Sequence, residues 1–327
     1  MVRKNLIYIF LFLTTYCYSQ DSTIQAKSLP DSEIAKALQA SSRKPDFDRH
    51  RNRKWIIGAG TTLAYSGSFI FLNQAWYKGY PRSSFHTFND VGEWLQMDKI
   101  GHAWTAYNTG KAGAALWRWA GVDDQTSVLL GSGSGLLYML SIEYLDGHSA
   151  EWGWSWGDAG ADLFGSILFS SQQLGWNQQK IQLKFSSHKR NYDPSLEKRA
   201  NDLFGSSLPQ RLLKDYNAQT YWLSFNLNSF LKTNLPDWLN ISVGYGADGM
   251  FGGYKNLSYD KTGNIVFDRR DIERYRQWYL SPDIDFTKIK TNSKIVRSIL
   301  FALNALKMPA PALEFSKNKF KLHALSF

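Results

Sequence analysis

Two periodicities divide this chain near Lys180, and together they fix its fold class. Before Lys180, sparsely charged stretches rich in small residues run long enough for helices: Trp55 to Tyr77, Lys99 to Trp119, Thr126 to Tyr144 and Asp158 to Trp176. After it, apolar residues recur at every second position, as in Tyr221, Leu223, Phe225 and Leu227, or Leu239, Ile241, Val243 and Tyr245. Period-two alternation is the mark of antiparallel strands with two unlike faces. Further strand stretches are Ile181 to Ser186, Gln277 to Phe286, Ala312 to Phe315 and Phe320 to Phe327, with a helix expected at Ser293 to Leu306. The expected class is α+β: a membrane-compatible four-helix unit over residues 55–178, then a small antiparallel strand-rich region over 180–327 packed on it.

The first helical stretch is the most apolar. Twenty-three consecutive residues from Trp55 to Tyr77 carry no charge; at ~1.5 Å per residue such a helix is ~34 Å long, enough to cross a bilayer's hydrocarbon core. Trp55, Trp76 and Tyr77 stand at its ends, where interfacial aromatics belong. Its Gly, Ser and Thr residues fit equally well a buried helix of a soluble bundle. The string Gly131-Ser132-Gly133-Ser134-Gly135 and the glycines and alanines of 99–119 permit close helix contact. A mean hydropathy of −0.36 argues against a conventional polytopic protein, so a unit partly sunk in, or lying against, a membrane is expected. Phe327 resembles the terminal aromatic of outer-membrane barrels, but six candidate strands interrupted by a helix are too few for a free-standing barrel.

The start of the chain reads as an export signal. Arg3 and Lys4 precede an apolar run from Leu6 to Leu13, and Cys17-Tyr18-Ser19 supplies small residues for cleavage. Residues 1–19 are thus a signal peptide and 20–54 a polar, loosely ordered leader, with a short helical stretch at Glu33 to Leu38. Lipidation at Cys17 and an uncleaved anchor are the rival readings. Cys17 is the only cysteine, so a mature chain cut after Ser19 has no disulfide, thiolate metal site or cysteine nucleophile. The formal charge is +10, spread without a dense basic block, which excludes nucleic acid as the expected partner and fits anionic lipid head groups. The expected location is the periplasm or outer membrane of a Gram-negative envelope.

Ionisable residues stand out against the apolar helices. Asp98 and His102 are four apart at one helix start, Glu143 and Asp146 three apart near a helix end, and Asp158 and Asp162 four apart at another start. Such spacings share a helix face, so packing these faces inward brings Asp98, His102, Glu143, Asp146, Asp158 and Asp162 together, with Lys99 at the margin. Buried ionisable groups are costly unless paired or metal-bound. Three causes are open. A carboxylate works as general acid or base beside His102, with Lys99 steadying negative charge. Alternatively the set holds a divalent cation, Mg²⁺ or Ca²⁺ on oxygens alone, Zn²⁺ or Mn²⁺ with the imidazole. Or Asp98 and Asp158 cap helices while Lys99 pairs with Glu143 as a registry contact. His148 and Glu151 are weaker candidates. Trp152, Trp154 and Trp156 line a groove, meet a membrane interface or fill space between helices.

Asp98-Lys99-Ile100-Gly101-His102, Glu143-Tyr144-Leu145-Asp146 and Gly153-Trp154-Ser155-Trp156-Gly157-Asp158, with Asp162 and Gly165, together resemble the YfiM-like family of predicted periplasmic lipoproteins, a domain of unknown function. The resemblance covers roughly residues 55–178. The same skeleton is more distantly similar to the VanZ-like membrane proteins, in which Asp-Lys-x-x-His precedes a Glu and a later Asp; here Asp162 stands where that family has Asn, and Asp146 where it tends to have Gln. Neither family implies a reaction.

No Gly-x-Ser-x-Gly elbow in a strand-to-helix setting, phosphate-binding loop or dinucleotide fingerprint is present. The functional expectation is therefore a membrane-associated hydrolase or transferase acting on a lipid or cell-wall-linked substrate through the carboxylate/His cluster. The alternative is a non-catalytic scaffold whose strand region binds an envelope protein partner, and a third reading is cation binding without catalysis.

Overall fold

Small residues decide how closely the helices meet. In this computed structural model, which describes residues 45–77, 80–231 and 234–326, α2 (Met97–Trp119), α3 (Asp124–Asp146) and α4 (Trp156–Trp176) pack on one another. A Cβ on Gly131 would lie 2.2 Å from the Ala114 nitrogen, and one on Gly165 would lie 2.1 Å from the Ala103 carbonyl oxygen. Only a missing side chain permits either contact, so the glycine-rich stretch of α3 is a packing surface, as its composition implied. Asp123 and Ser155 start α3 and α4 by accepting from the Thr126 and Asp158 amides.

α1 (Pro45–Leu72), continued by a π-helical turn to Tyr77, begins ten residues before the helix start expected at Trp55. Proline is preorganised for a first helical position, and the polar residues after it are ordinary helix formers. α1 is no buried bundle helix. Trp55, Ile56, Leu63 and Ile70 are exposed; it leans on α3 through Tyr65 and Phe69 around Tyr138, whose hydroxyl bonds Ser68. By length and apolarity, Arg51–Leu72 and Asp124–Asp146 are each able to cross a membrane. The signal at 1–19, the helical stretch at Glu33 to Leu38 and the terminal Phe327 lie outside the described residues.

Beyond the helices runs a six-stranded antiparallel sheet of β1 (Ile181–Ser187), β2 (Gln219–Asn226), β3 (Leu239–Asp248), β6 (Tyr275–Ile284), β7 (Ala310–Ser316) and β8 (Lys319–Ser326), neighbours in that order. The short hairpin β4 (Leu257–Tyr259) and β5 (Ile265–Asp268) stands apart. Period-two reasoning missed α5 (Pro194–Phe204), α6 (Leu208–Lys214) and the single-turn α7 (Leu227–Leu231), and α8 (Lys294–Leu303) is the helix expected before β7. The helices start where proline is tolerated, with Asp193 capping α5 and Ser207 boxing α6.

The sheet's faces are reversed relative to a soluble protein. Gln182, Lys184, Trp222, Ser224, Asn226, Asn240, Ser242, Ser281, Asp283 and Glu314 share one face and are buried. Lys184 meets Asp283 at 2.9 Å, Ser224 donates to Asp283 at 2.6 Å and Gln182 donates to Asp285 at 2.7 Å. The sheet curls to enclose this face: Phe185 on the outer edge of β1 pairs with the segment before β7, donating to the Ala305 carbonyl and accepting from the Lys307 amide. On the opposite face, Leu183, Phe185, Tyr221 and Leu223 pack towards α2, while Val243, Trp278, Leu280, Leu313, Phe315, Phe320 and Leu322 stay exposed. Alternation predicts two unlike faces but not which is covered, and here only part of the apolar one is.

Candidate functional site

The entry to α2 sets the site. Trp94, Leu95 and Gln96 have φ of 48°, 52° and 66°, a left-handed run costly for residues with side chains. It persists because the strand-rich region holds it: Tyr245 donates to the Leu95 carbonyl, Arg276 donates to Gln96 at 2.7 Å, and the Trp94 amide donates to Gly253. The next residues, Met97 and Asp98, open α2. The sheet therefore fixes how Asp98, Lys99 and His102 point.

Asp98, Lys99, His102, Glu143, Asp158 and Asp162 converge as the helical spacings predicted, and Asp146 borders them. Lys99 is not at the margin and does not pair with Glu143. Its ammonium lies 2.7 Å from Asp90, 3.0 Å from Asp98 and 2.9 Å from Asp158, with its side chain 11% exposed. A cation takes the position where three carboxylates meet, because that is where burial would otherwise cost most. Next to it, His102 Nδ1 lies 3.1 Å from Asp162 and 3.7 Å from Glu143, while its Nε2 faces Asp158 at 3.9 Å. Asp146 accepts from the Tyr77 hydroxyl at 2.6 Å.

Spacing arguments missed Asp90, Ser155 and Tyr77, which sit on connections or on another helix. Ser155 is a hub: its hydroxyl caps the Asp158 amide and bonds Asp90, and its own amide donates to Glu143 at 3.2 Å. The Ser-x-x-Asp pattern of Ser155 and Asp158 is a helix-start signature that points to it; Asp90 has no comparable signal. His148 and Glu151 stay outside, His148 bonding the Tyr144 carbonyl and Glu151 being exposed. Among the tryptophans, Trp152 packs on Tyr77 and Tyr80, Trp154 on Phe85, and Trp156 is 73% exposed.

Negative charge exceeds positive here. Six carboxyl groups (Asp90, Asp98, Glu143, Asp146, Asp158, Asp162) surround Lys99 and His102. Burial pushes Glu143 up to about 8 and Asp146 and Asp158 up to about 6, and it also raises Asp98. Burial, with Asp98 and Asp90 close by, lifts Glu93 to about 7. Burial opposes a charged His102, but Asp158, Asp162 and Glu143 outweigh it and lift the imidazole to about 10. Asp90 is lowered despite burial by its bonds to Lys99 and Ser155.

Two triads in this cluster have the composition of cation ligands: His102 with Glu143 and Asp162, and Asp90 with Asp98 and Asp158, each with ligand atoms within 4.8 Å of one another. Lys99 fills the second. In the first, Glu143 and Asp162 are 1% and 0% exposed, and each keeps a buried oxygen with no hydrogen-bond donor, Oε1 and Oδ2. Buried carboxylate oxygens are normally satisfied, so one imidazole and two carboxyl groups fit a divalent ion that displaces the protons held on His102 and Glu143.

Residues 87–171, which include every one of these charged residues, match the family described as predicted periplasmic lipoprotein (DUF2279). No curated protein and no solved structure matches the chain. The family description fits the export expected from residues 1–19.

Proposed function

We propose that this protein, part of which matches the periplasmic lipoprotein family, is an envelope enzyme, a hydrolase or transferase acting on a lipid or cell-wall-linked substrate, with the carboxylate/His cluster as its reactive centre. The observation that carries the proposal is the pair of donorless, fully buried oxygens on Glu143 and Asp162 beside His102. A cation held by His102, Glu143 and Asp162 would supply Lewis-acid polarisation of an ester or phosphoester oxygen and an acidified water. Asp158 faces Nε2 of His102 at 3.9 Å, so its charge, and not a direct hydrogen bond, favours the ring orientation that turns Nδ1 towards Glu143 and Asp162. Lys99 holds Asp158 in place and keeps positive charge next to the reacting groups. His102 keeps a fifth of its side chain exposed, so a substrate reaches the cluster from that side. The outer membrane, with its lipid head groups, is the proposed setting.

The test uses purified full-length protein with phospholipid vesicles and lipid-linked cell-wall precursors as substrates, following release of the polar group by mass spectrometry. The proposal expects turnover that needs a divalent cation and is lost in His102→Ala and Glu143→Gln, with circular dichroism unchanged. Absence of turnover on every substrate, with the variants losing abundance and fold together, would overturn it.

One observation favours a second reading. Lys99 joins carboxylates from the loop before α2, from α2 itself and from α4, as a registry network of a non-catalytic scaffold would. In that case the His102 and Glu143 variants lose stability in proportion to any lost function.

A further inference from the structure

The reversed sheet leaves an apolar face that water does not explain. On β3, β6 and β7, Val243, Trp278, Leu280, Leu313 and Phe315 are each at least 40% exposed, while Ser242, Ser281, Asp283, Glu314 and Ser316 on the other face of the same strands are at most 3% exposed; β8 adds Phe320 and Leu322, 69% and 80% exposed. In water the hydrophobic effect drives the opposite arrangement. Strands that point apolar side chains outward and polar ones inward are those whose surroundings are hydrocarbon. A contiguous patch of this kind is larger than scattered surface leucines account for.

We propose that this face lies against the acyl chains of one leaflet of a bilayer, with the basic ends of the strands at the anionic head groups. Charge complementarity favours lipid over a second protein. Arg276, exposed and in register with Trp278 and Leu280, stands at the edge of the face where β6 begins, and exposed Lys319 follows the β7–β8 turn at the same end of the sheet. Lys290, Lys294 and Arg297, exposed beside Ile295 and Ile299 of α8, form a second basic group next to exposed apolar side chains. Each lysine or arginine near an anionic surface adds to the attraction. The helical unit presents the same chemistry outward, with Leu116, Leu129, Leu163, Phe164, Ile167 and Leu174 exposed.

The strand order limits the depth. β8 is the last strand of the sheet, and its outer peptide groups need water or head groups, since hydrocarbon satisfies neither N–H nor C=O. The face therefore lies along one leaflet with β8 at the boundary and does not cross the bilayer. Arg276, at the proposed head-group level, also bonds Gln96 at the entry to α2, which brings the carboxylate/His cluster to the level of the lipid head groups. The placement stands whether or not that cluster is catalytic.

The chain's single cysteine, Cys17, makes a labelling test clean. In a Cys17→Ser background, Leu280→Cys, Leu322→Cys and, as control on the β4–β5 turn, Thr262→Cys are labelled with an environment-sensitive fluorophore. The full-length protein is then placed in phosphatidylethanolamine/phosphatidylglycerol vesicles containing lipids with nitroxides on their acyl chains. The proposal expects blue-shifted emission and several-fold stronger quenching at Leu280 than at Thr262, with Leu322 between them. As a second measurement, Leu280→Lys with Leu313→Lys lowers vesicle binding several-fold while circular dichroism stays unchanged. Quenching at Leu280 no greater than at Thr262 in vesicle-bound protein would overturn the proposal, as would crosslinking between copies through Leu280→Cys, which would make the face a protein interface.

Discussion

Replacing Lys99 by methionine tests the charge balance of the cluster. Lys99 sits within 3.0 Å of carboxylates on Asp90, Asp98 and Asp158, and its side chain is 11% exposed, so it belongs to the buried regime. Removing one member of a buried ion pair typically costs about 3–5 kcal/mol, because the partner charge stays behind without compensation. Here three partners stay behind, and protonation of the two that burial already raises, Asp98 and Asp158, relieves part of the cost; the expected loss is therefore about 3–5 kcal/mol and not a multiple of it. At roughly 2–4 °C per kcal/mol for a domain of this size, Tm falls by on the order of 10 °C. The assay is differential scanning fluorimetry of the detergent-solubilised full chain, with wild type and Lys99→Met side by side at neutral pH. Millimolar Mg²⁺ or Mn²⁺ should restore part of the loss in Lys99→Met, since the vacated triad of Asp90, Asp98 and Asp158 then accepts a divalent ion. A loss under about 1 kcal/mol, the range of exposed salt bridges, would refute the reasoning by showing that the carboxylates are solvated or already neutral.

Gly165→Ala forces a Cβ to within 2.1 Å of the Ala103 carbonyl oxygen; overpacking of this kind costs about 1–3 kcal/mol or more, read as a lower Tm, and an unchanged Tm would mean that α2 and α4 separate freely. Tyr245→Phe removes the hydroxyl that holds the Leu95 carbonyl, a loss of about 1 kcal/mol, and should weaken cation binding at His102 more than it lowers Tm if the sheet positions the cluster. Burial pushes Lys307, 4% exposed, down to about 8. Its folded pKa lies below the ordinary lysine value, so the fold binds fewer protons than the unfolded chain between about pH 8 and pH 10.4. Stability should rise as pH increases through that window, by up to about 3 kcal/mol, and Lys307→Met should flatten the rise in urea titrations at the two pH extremes.

Much of the site was legible because helical spacing is a rigid ruler. Asp98 and His102, Glu143 and Asp146, Asp158 and Asp162 fall three or four apart, and the helices bring those faces together. Asp90 and Tyr77 were not legible, since a loop residue and one on a separate helix have no periodic relation to the set. The role of Lys99 was misjudged for a related reason: sequence shows that a cation is adjacent to Asp98 but not that Asp90 and Asp158 arrive from two other segments. In the sheet, alternation gave strands and their antiparallel class, yet the buried face turned out polar. Period two distinguishes faces without ranking them, and only the curl that pairs Phe185 with the segment around Leu306 decides which is enclosed. The short helix α5 carries a helical signal, with Leu196, Ala200 and Phe204 four apart on its buried face, which period-two alternation does not register.

The central claim is that His102, Glu143 and Asp162 form a cation-binding reactive centre. Isothermal titration of metal-stripped, full-length protein with Mn²⁺ and Zn²⁺ tests it most directly. The account predicts stoichiometric binding that is lost in Asp162→Asn and His102→Ala but retained in Asp146→Asn, each variant checked for fold by circular dichroism. Folded wild-type protein that takes up neither ion, or binding that survives loss of both Asp162 and His102, would contradict it.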